Sequence, residues 1–461
     1  MSHLETSINY VWLLMAGFLV FFMQAGFALV ETGFTRAKNA LHTMMMNLVI
    51  YAVGVLGFYT VGFAFMFGGV GGFASLNGGT MLNGLVEVAK GWGIIGTKGF
   101  FLTTGGTYTT AVYAMFMFQV VFMDAAATIP TGAMAERWRF KPFIIFGFFM
   151  SMFLYPLYGN WIWGGGWLAS LGKTLHFGHG AIDFAGSGVV HAVGGLTALA
   201  GALVLGPRLG KFNKDGTPNA IPGHHLPMAI LGTFILAFGW FGFNSGSTLA
   251  GTDLRIAVVA VNTMISSIAG AFGAMIVMWW KFGKPDGSMT ANGLLAGLVA
   301  ITAPCAFVES WAALIIGAVA GVLVVASVLF VERVLKVDDP VGAVSVHGAC
   351  GLWGLLALGI FADGTYGIGF NGVGATAAKG VTGILFGDPG QLIAQLISMA
   401  VVIVWAFGVS YVFFKVLDKI VPMRVAPEVE LQGLDMPEIG ALAYPEFSLT
   451  GSGDVDVSNG H

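Results

Sequence analysis

Two stretches of the sequence decide the fold, because each begins with an aspartate and carries a histidine eight residues later. The first reads Asp183-Phe-Ala-Gly-Ser-Gly-Val-Val-His191-Ala-Val-Gly-Gly195. The second reads Asp339-Pro-Val-Gly-Ala-Val-Ser-Val-His347-Gly-Ala-Cys-Gly351, and five of the thirteen positions are identical. We interpret the two stretches as copies of one internal repeat. The alternative is chance similarity between glycine-rich apolar segments.

The surrounding chain is too apolar for a water-soluble protein. Of its 461 residues, 56% are hydrophobic and 9% are charged, against about 25% charged in typical soluble domains. The 70 glycines lie largely in apolar runs, which is typical of helices in close contact within a membrane. A net charge of −3 excludes a basic nucleic-acid-binding protein. The two cysteines, Cys305 and Cys350, exclude a disulfide framework. We therefore predict an all-α membrane protein.

Eleven apolar runs qualify as membrane-spanning helices, each of which needs roughly 20 residues. They start near residues 8, 42, 111, 142, 184, 226, 256, 289, 311, 341 and 391. Residues 1–10 contain no Lys or Arg, so we expect the first run to be a retained helix and not a signal peptide. Of the 20 Lys and Arg residues, 15 fall on one side of the predicted membrane and 5 on the other. Because basic loops stay in the cytoplasm, the N-terminus is predicted outside and the C-terminus inside.

The positions of the two repeats predict the domain organisation. The first stretch opens a helix that enters from outside, and the second opens one that enters from inside, so the two halves are inverted. We predict one five-helix repeat in residues 1–206 and a second in residues 207–362. Residues 363–420 then hold an outer loop and the eleventh helix, and residues 421–461 form a cytoplasmic tail. Inverted repeats are a recurrent transporter architecture with the site near the membrane midplane.

The spacing within each stretch predicts where the histidines lie. Each histidine follows its aspartate by eight residues, about 12 Å along a helix, in a hydrocarbon core of about 30 Å. Entering from opposite faces, His191 and His347 are expected to meet near the centre. Asp183 and Asp339 are expected to cap the helix starts, and Asp183 also keeps a negative charge near the outer mouth. The alternative is two buried histidines without a function.

Two central histidines are compatible with more than one chemistry. They supply too few ligands for a metal ion, and a haem held by the pair is an alternative. Imidazole carries a donor and an acceptor nitrogen and titrates near pH 6.5. Since a dry lining disfavours a bare cation, a weak acid such as ammonium would release its proton at the mouth and cross as the neutral base.

Aromatic residues near the predicted outer side suit a small cation. Phe118 and Phe122 share a helix face, Trp163 ends the fourth helix, and Phe243 precedes Ser247 by four residues. A cation over such rings gains roughly 0.5–2 kcal/mol. The alternative interpretation is an interfacial aromatic belt.

Taken together, these residues resemble the Amt branch, of prokaryotic type, in the Amt/Rhesus superfamily of ammonium transporters. The resemblance rests on the Asp183–His191 stretch, on Phe241-Gly-Phe243-Asn-Ser-Gly-Ser247, on Asp338-Asp-Pro-Val-Gly-Ala-Val-Ser-Val-His347-Gly and on Arg36-Ala-Lys-Asn39. It implies a homotrimer of eleven-helix protomers in the prokaryotic inner membrane, each with a narrow hydrophobic pore. No enzyme activity, cofactor or nucleic-acid partner is expected.

The resemblance also implies a role for individual residues. His191 and His347 are the twin pore histidines, and Phe122 and Phe243 stack as the outer gate. The ammonium recruitment site consists of Phe118, Phe122, Trp163 and Ser247, with Asp183 behind it. We predict capture and deprotonation of NH4+, then conduction of NH3 with or without the proton, and weak acceptance of methylammonium. The alternative is a receptor-like member that senses ammonium and signals through its tail.

The tail after the eleventh helix carries a further motif of the family. It contains Arg424, Glu428, Gly433, Leu434 and Asp435. The resemblance implies that this segment packs under the trimer, couples the protomers, and meets a PII-type signalling protein. We expect residues 451–461 to be disordered, because they are small and polar.

Four features depart from these patterns. Asp124 and Glu31 are acidic residues inside apolar helices, and we expect them to face protomer contacts or a wet vestibule and not the pore. The pairs His176/His179 and His224/His225 lie in predicted loops, where we expect them to be solvated.

Overall fold

The computed structural model describes residues 1–373 and 379–446, so the prediction for residues 451–461 lies outside the described residues. The described chain is mainly helical. In chain order its long apolar helices are α1 (His3–Phe34), α2 (Ala37–Phe67), α3 (Thr110–Met134), α4 (Phe140–Trp163), α5 (Ser187–Leu205), α6 (Leu226–Gly246), α7 (Arg255–Phe282), α8 (Gly287–Ile301), α9 (Ser310–Arg333), α10 (Val344–Phe361) and α11 (Pro389–Ile420).

Ten of these helices are long and apolar enough to cross a membrane, by length and composition within the described residues. The remaining one, α8, has 15 residues, which is about five fewer than a straight span needs. All eleven begin within five residues of the predicted starts. The hydropathy pattern therefore located every long helix.

Between α2 and α3 the chain forms a small antiparallel hairpin that no repeat or motif indicated. Its strands are β1 (Leu85–Glu87) and β2 (Gly93–Gly96), with Leu85 opposite Gly96. The ring of Trp92 in the turn stacks on Trp167 after α4, with centroids 5.7 Å apart. This contact anchors the hairpin to the end of α4.

The two predicted repeats meet where α5 crosses α10. A Cβ atom at Gly195 would lie 2.1 Å from the backbone nitrogen of Gly348 and 2.5 Å from its Cα. Because no side chain fits there, the two helix backbones are in direct contact. The crossing lies one turn beyond His191 and beside His347, so it fixes how closely the two histidines approach.

The two repeat stretches have the same local structure. Each helix begins with a wide π-helical turn, Ser187–Ala192 in α5 and Val344–Ala349 in α10. The Asp183 carboxylate accepts hydrogen bonds from three backbone N–H groups of residues 186, 188 and 189. The Asp339 carboxylate accepts three from residues 341, 342 and 344. Both aspartates therefore cap their helices, as predicted, and π turns of this kind are frequent at functional sites.

Candidate functional site

The histidines of the two repeats are in direct contact inside the protein. Nδ1 of His191 lies 3.2 Å from Nδ1 of His347, and the ring centroids are 5.3 Å apart. His191 is fully buried and His347 is 5% exposed. A neutral pair shares one proton between the facing nitrogens, so one ring donates and the other accepts. Reversal of that hydrogen bond exchanges the tautomers of both rings, which is the property that a proton relay requires.

Aromatic rings cover the histidine pair. The ring of Trp240 stacks on His191 with centroids 5.0 Å apart, and Phe243 stacks on it at 5.4 Å. Phe27 lies against His347 with centroids 6.0 Å apart. The Nε2 atom of His191 is buried and has no hydrogen-bond partner among the described residues. This nitrogen is therefore available to a solute that arrives from the side of Phe243.

A stack of phenylalanines closes that side. Phe122 and Phe243 are both fully buried, and their ring centroids are 4.0 Å apart at 29°. Phe118 adjoins Phe122 at 4.7 Å, and Trp163 meets Phe122 nearly edge-on at 6.2 Å. Any solute that passes from Phe118 to His191 must displace or slip past these rings.

Above the stack lies a cavity of about 320 Å³. Its lining includes every residue assigned to recruitment except Phe122, namely Phe118, Trp163, Ser247 and Asp183. The Trp163 indole N–H donates to the carbonyl of Asp183 at 2.6 Å, while the hydroxyl of Ser247 donates to the carbonyl of Phe243 at 2.9 Å. The hydroxyl therefore keeps its oxygen lone pairs free for a donor such as ammonium.

Asp183 lines this cavity but is almost completely buried. Its carboxylate is 2% exposed, and both oxygens already accept backbone N–H groups. A carboxylate held in this way can act on a cation in the cavity only through its charge, while its hydrogen bonds hold the start of α5.

On the opposite side of the pair, a second cavity of about 20 Å³ is lined by His347. The other lining residues include Phe27, Glu31, Asn292 and Val341. The histidine pair thus separates a wide cavity from a narrow one.

The chain is similar to known proteins along nearly its whole length. Residues 11–444 match the Ammonium Transporter Family. The chain belongs to the ammonium transporter family. A similar relative is the ammonium transporter Amt2 of Archaeoglobus fulgidus, which is 49% identical over 97% of this chain and 90% of the relative. Ammonium transporter Amt1 of Haloferax mediterranei is 38% identical over 95% of this chain and 80% of the relative.

Solved structures of the family have the same fold. A protein titled Sensor Amt Protein superposes with a TM-score of 0.81 at 36% identity, covering 95% of this chain and all of that one. The crystal structure of Candida albicans Mep2 gives a TM-score of 0.77 at 28% identity, covering 95% and 90% of the two chains. The chain is therefore a multi-pass membrane protein of the Amt/Mep fold.

The tail motif is held against the loops between the helices. Arg424 donates to Glu430 at 2.8 Å and to the carbonyl of Pro207 at 2.7 Å. Asp435 accepts from the backbone N–H groups of Leu41 and His42 at the start of α2. The tail is thus docked at two separate places.

The other three predicted tail residues differ in their contacts. Leu434 is fully buried, and its N–H donates to Asn39. Gly433 has φ +108°, and a Cβ there would lie 2.4 Å from the carbonyl oxygen of Lys38. Glu428 is exposed and makes no ion pair with a described residue, whereas Glu430 two residues later does. The carboxylate of Glu430, which the sequence motif did not include, therefore docks in addition to that of Asp435.

A buried network of ions lies on the same side of the molecule. Arg208 pairs with Glu136 and with Asp338, each at 2.8 Å, and Glu136 also pairs with Arg36. Burial alone would raise the pKa of Asp338, but the positive charges of Arg137 and Arg208 outweigh it and hold that pKa well below its ordinary value. Asp338 is therefore a structural anion immediately before the second repeat stretch.

Several residues of the site were not predicted to line it. Gln119 and Arg255 line the wide cavity, and the side-chain oxygen of Gln119 has no partner among the described residues. Trp240 stacks on His191. Its position three residues before Phe243 on the same helix face was the available signal.

The four departures from the pattern occupy different environments. Asp124 is 2% exposed and lines neither cavity described above. Glu31 lines the narrow cavity with His347, so the expectation that it lies away from the pore residues was wrong. His179 is 8% exposed, and His224 donates from Nδ1 to the carbonyl of Thr35 and accepts from Tyr444. The expectation of solvated loops therefore holds for neither His179 nor His224, because both loops fold back onto helix ends.

Proposed function

We propose that this protein is an ammonium transporter with a pore through each protomer. NH4+ is held in the wide cavity by the rings of Phe118 and Trp163 and by the Ser247 hydroxyl. It loses its proton above the Phe122–Phe243 stack, and NH3 passes along His191 and His347. The observation that carries the proposal is the 3.2 Å contact between two buried imidazoles beneath stacked phenylalanines.

The physical reason for deprotonation lies in the lining. A bare ammonium ion loses its hydration when it leaves the wide cavity, and a desolvated ion is very costly among apolar groups. Ammonia is neutral and small, and it hydrogen-bonds to an imidazole nitrogen as donor or acceptor. The buried Nε2 of His191 without a partner supports this step.

We propose the predicted topology of eleven helices for the same protein. Residues 1–206 and 207–362 form two inverted repeats of five helices each. Residues 363–420 hold an outer loop and the eleventh helix, and residues 421–461 form the tail. The 15-residue α8 counts as a shortened span. The basic loops and the docked tail then lie in the cytoplasm, so that the wide cavity opens outward in a prokaryotic inner membrane. The shared capping and π turns at Asp183 and Asp339 support the inverted repeat.

We further propose a homotrimer whose tails couple the protomers. Large apolar side chains exposed on α7 and α9, such as Phe272 and Leu314, support burial of these helices against lipid or a neighbouring copy. The tail and the loops around it form the surface to which a PII-type signalling protein would bind.

A sensor that binds ammonium mainly to signal through the tail is the second candidate. It is favoured by the likeness to the Sensor Amt Protein. One test measures the electrical current through purified protein in a planar bilayer under an ammonium gradient. A second test measures the uptake of labelled methylammonium into vesicles that contain the protein, under a methylammonium gradient. Transport predicts flux that saturates with ammonium and weak flux of methylammonium. Ammonium binding without flux would support the sensor and overturn transport.

A further inference from the structure

The narrow cavity beyond the histidine pair contains an acid that the proposed transport does not use. Glu31 is 2% exposed and lines that cavity together with His347. Phe27, one helical turn earlier on α1, has its ring against His347. Since residues four apart share a helix face, Glu31 is the next group along α1 after the level of His347.

Glu31 lies on the side of the histidine pair that is away from the wide cavity. It lies three residues before Phe34, where α1 ends, and Arg36 and Lys38 follow at the junction with α2. A proton on Glu31 has therefore passed both histidines and is within one helical turn of the end of the helix.

The two oxygens of this carboxylate have different surroundings. Oε2 accepts from Thr131 at 2.6 Å and from Asn47 at 2.8 Å. Oε1 lies beside the backbone of Gly132, where a Cβ would be only 3.1 Å from it. Two donors on one oxygen stabilise the ionised form, and neither of these two side chains occupies the second oxygen.

The narrow cavity is large enough for one water molecule between His347 and Glu31. Its volume of about 20 Å³ exceeds the roughly 10–15 Å³ that one water molecule needs. His347, Glu31 and Asn292 line the cavity and supply the polar partners that such a water requires. The lining is otherwise largely apolar, including Phe27, Ile129 and Leu236.

We propose that Glu31 is the inner proton acceptor of the pore, an inference that rests on the proposed transport function. The proton released by NH4+ moves through His191 and His347 and, by way of one water, protonates the Glu31 carboxylate. The resulting carboxylic acid returns this proton to the NH3 that leaves the pore, forming NH4+ and regenerating the carboxylate. One ammonium ion enters, one leaves, and one positive charge crosses per cycle.

The test separates charge movement from ammonia conduction in proteoliposomes of the full chain. Current is recorded on a solid-supported membrane after an ammonium jump, and ammonia entry is recorded from the total ammonia plus ammonium that accumulates inside the vesicles. For Glu31→Gln we expect the current to fall at least tenfold, while ammonia still enters. Glu31→Asp is expected to restore part of the current, because it returns a carboxylate. The current that Glu31→Asp retains should decrease in D2O.

The matched control is Asp124→Asn, which removes an equally buried acid that lines neither cavity. Its current should equal that of the wild type. Wild-type current in Glu31→Gln, or joint loss of current and ammonia entry, would overturn the proposal. If Glu31→Gln does not assemble, Thr131→Val is measured instead. A reduced current with intact ammonia entry supports the proposal, and an unchanged current contradicts it.

Measurements on the wild type separate a failure of the Glu31 proposal from a failure of the proposed transport function. Ammonia entry without any current leaves transport standing and overturns the proton acceptor. Neither current nor ammonia entry in the wild type is instead a failure of the proposed transport itself.

Discussion

At the scale of single residues, the proposed pore depends on two imidazoles that are held in contact. His191 and His347 meet at 3.2 Å because glycine at the helix crossing allows the two backbones to touch. The sequence predicted the meeting from the eight-residue spacing in each repeat stretch. It did not predict that Trp240 and Phe27 flank the pair, since an aromatic residue on an apolar helix has many possible neighbours.

Replacement of either pore histidine should change proton-coupled flux and leave the fold intact. His191→Ala or His347→Ala removes one half of the relay, so we expect the ammonium-dependent current to fall at least tenfold. Thermal unfolding should change little in comparison. His176→Ala, which removes an exposed imidazole, is the control. Full current in both single variants would contradict a relay.

Gly195→Ala should separate the histidines without altering either of them. The added Cβ would lie 2.1 Å from the nitrogen of Gly348, so α5 and α10 must move apart. We expect reduced thermal stability and loss of current. Gly408→Ala is the matched control, because it lies in α11 with nothing within 4 Å of the added Cβ. Alanine there should be neutral or stabilise by up to about 1 kcal/mol. Equal behaviour of the two variants would rule out this role of Gly195.

At the scale of elements, the tail is joined to the helices through capping. The Asp435 carboxylate accepts two N–H groups at the start of α2, and loss of such a cap costs about 0.5–2 kcal/mol. The sequence indicated the tail as a segment. Which helix start it caps depends on the three-dimensional arrangement of the loops.

We expect Asp435→Ala to release the tail from α2. Hydrogen–deuterium exchange of residues 427–446 should accelerate several-fold, while exchange in the centre of α2 stays slow. Glu428→Ala changes an exposed carboxylate in the same segment and serves as the control. Equal protection of the tail in both variants would mean that the cap does not hold it.

At the scale of the whole molecule, a buried ion network joins the predicted first repeat to the predicted second repeat. Asp338 and Glu136 have fully buried side chains and share Arg208, whose side chain is 2% exposed. Loss of one partner of a buried pair leaves an uncompensated charge and costs roughly 3–5 kcal/mol. Asp338→Asn should therefore lower the unfolding temperature in detergent markedly, whereas Glu428→Gln should not. A change within error for Asp338→Asn would contradict the structural role.

The same aspartate predicts how stability varies with pH. Its pKa is lowered in the folded protein, so its ionised form favours folding. That contribution is fully present above the ordinary aspartate pKa of about 3.9 and is lost as the pH falls below it. Wild-type unfolding temperature should thus decrease on acidification below about pH 4. Asp338→Asn should show a shallower decrease, and parallel curves would exclude this linkage.

The sequence by itself determined the membrane class, the starts of the helices and the paired histidine stretches. These depend on hydropathy, spacing and repeated letters, which are local properties of the chain. The tertiary structure alone decided that Glu31 lies beside His347, that Glu430 and not Glu428 pairs with Arg424, and that His179 and His224 are covered. Such contacts join residues that are far apart in the chain, and their partners are set by how helices cross and loops fold back, which no single stretch encodes.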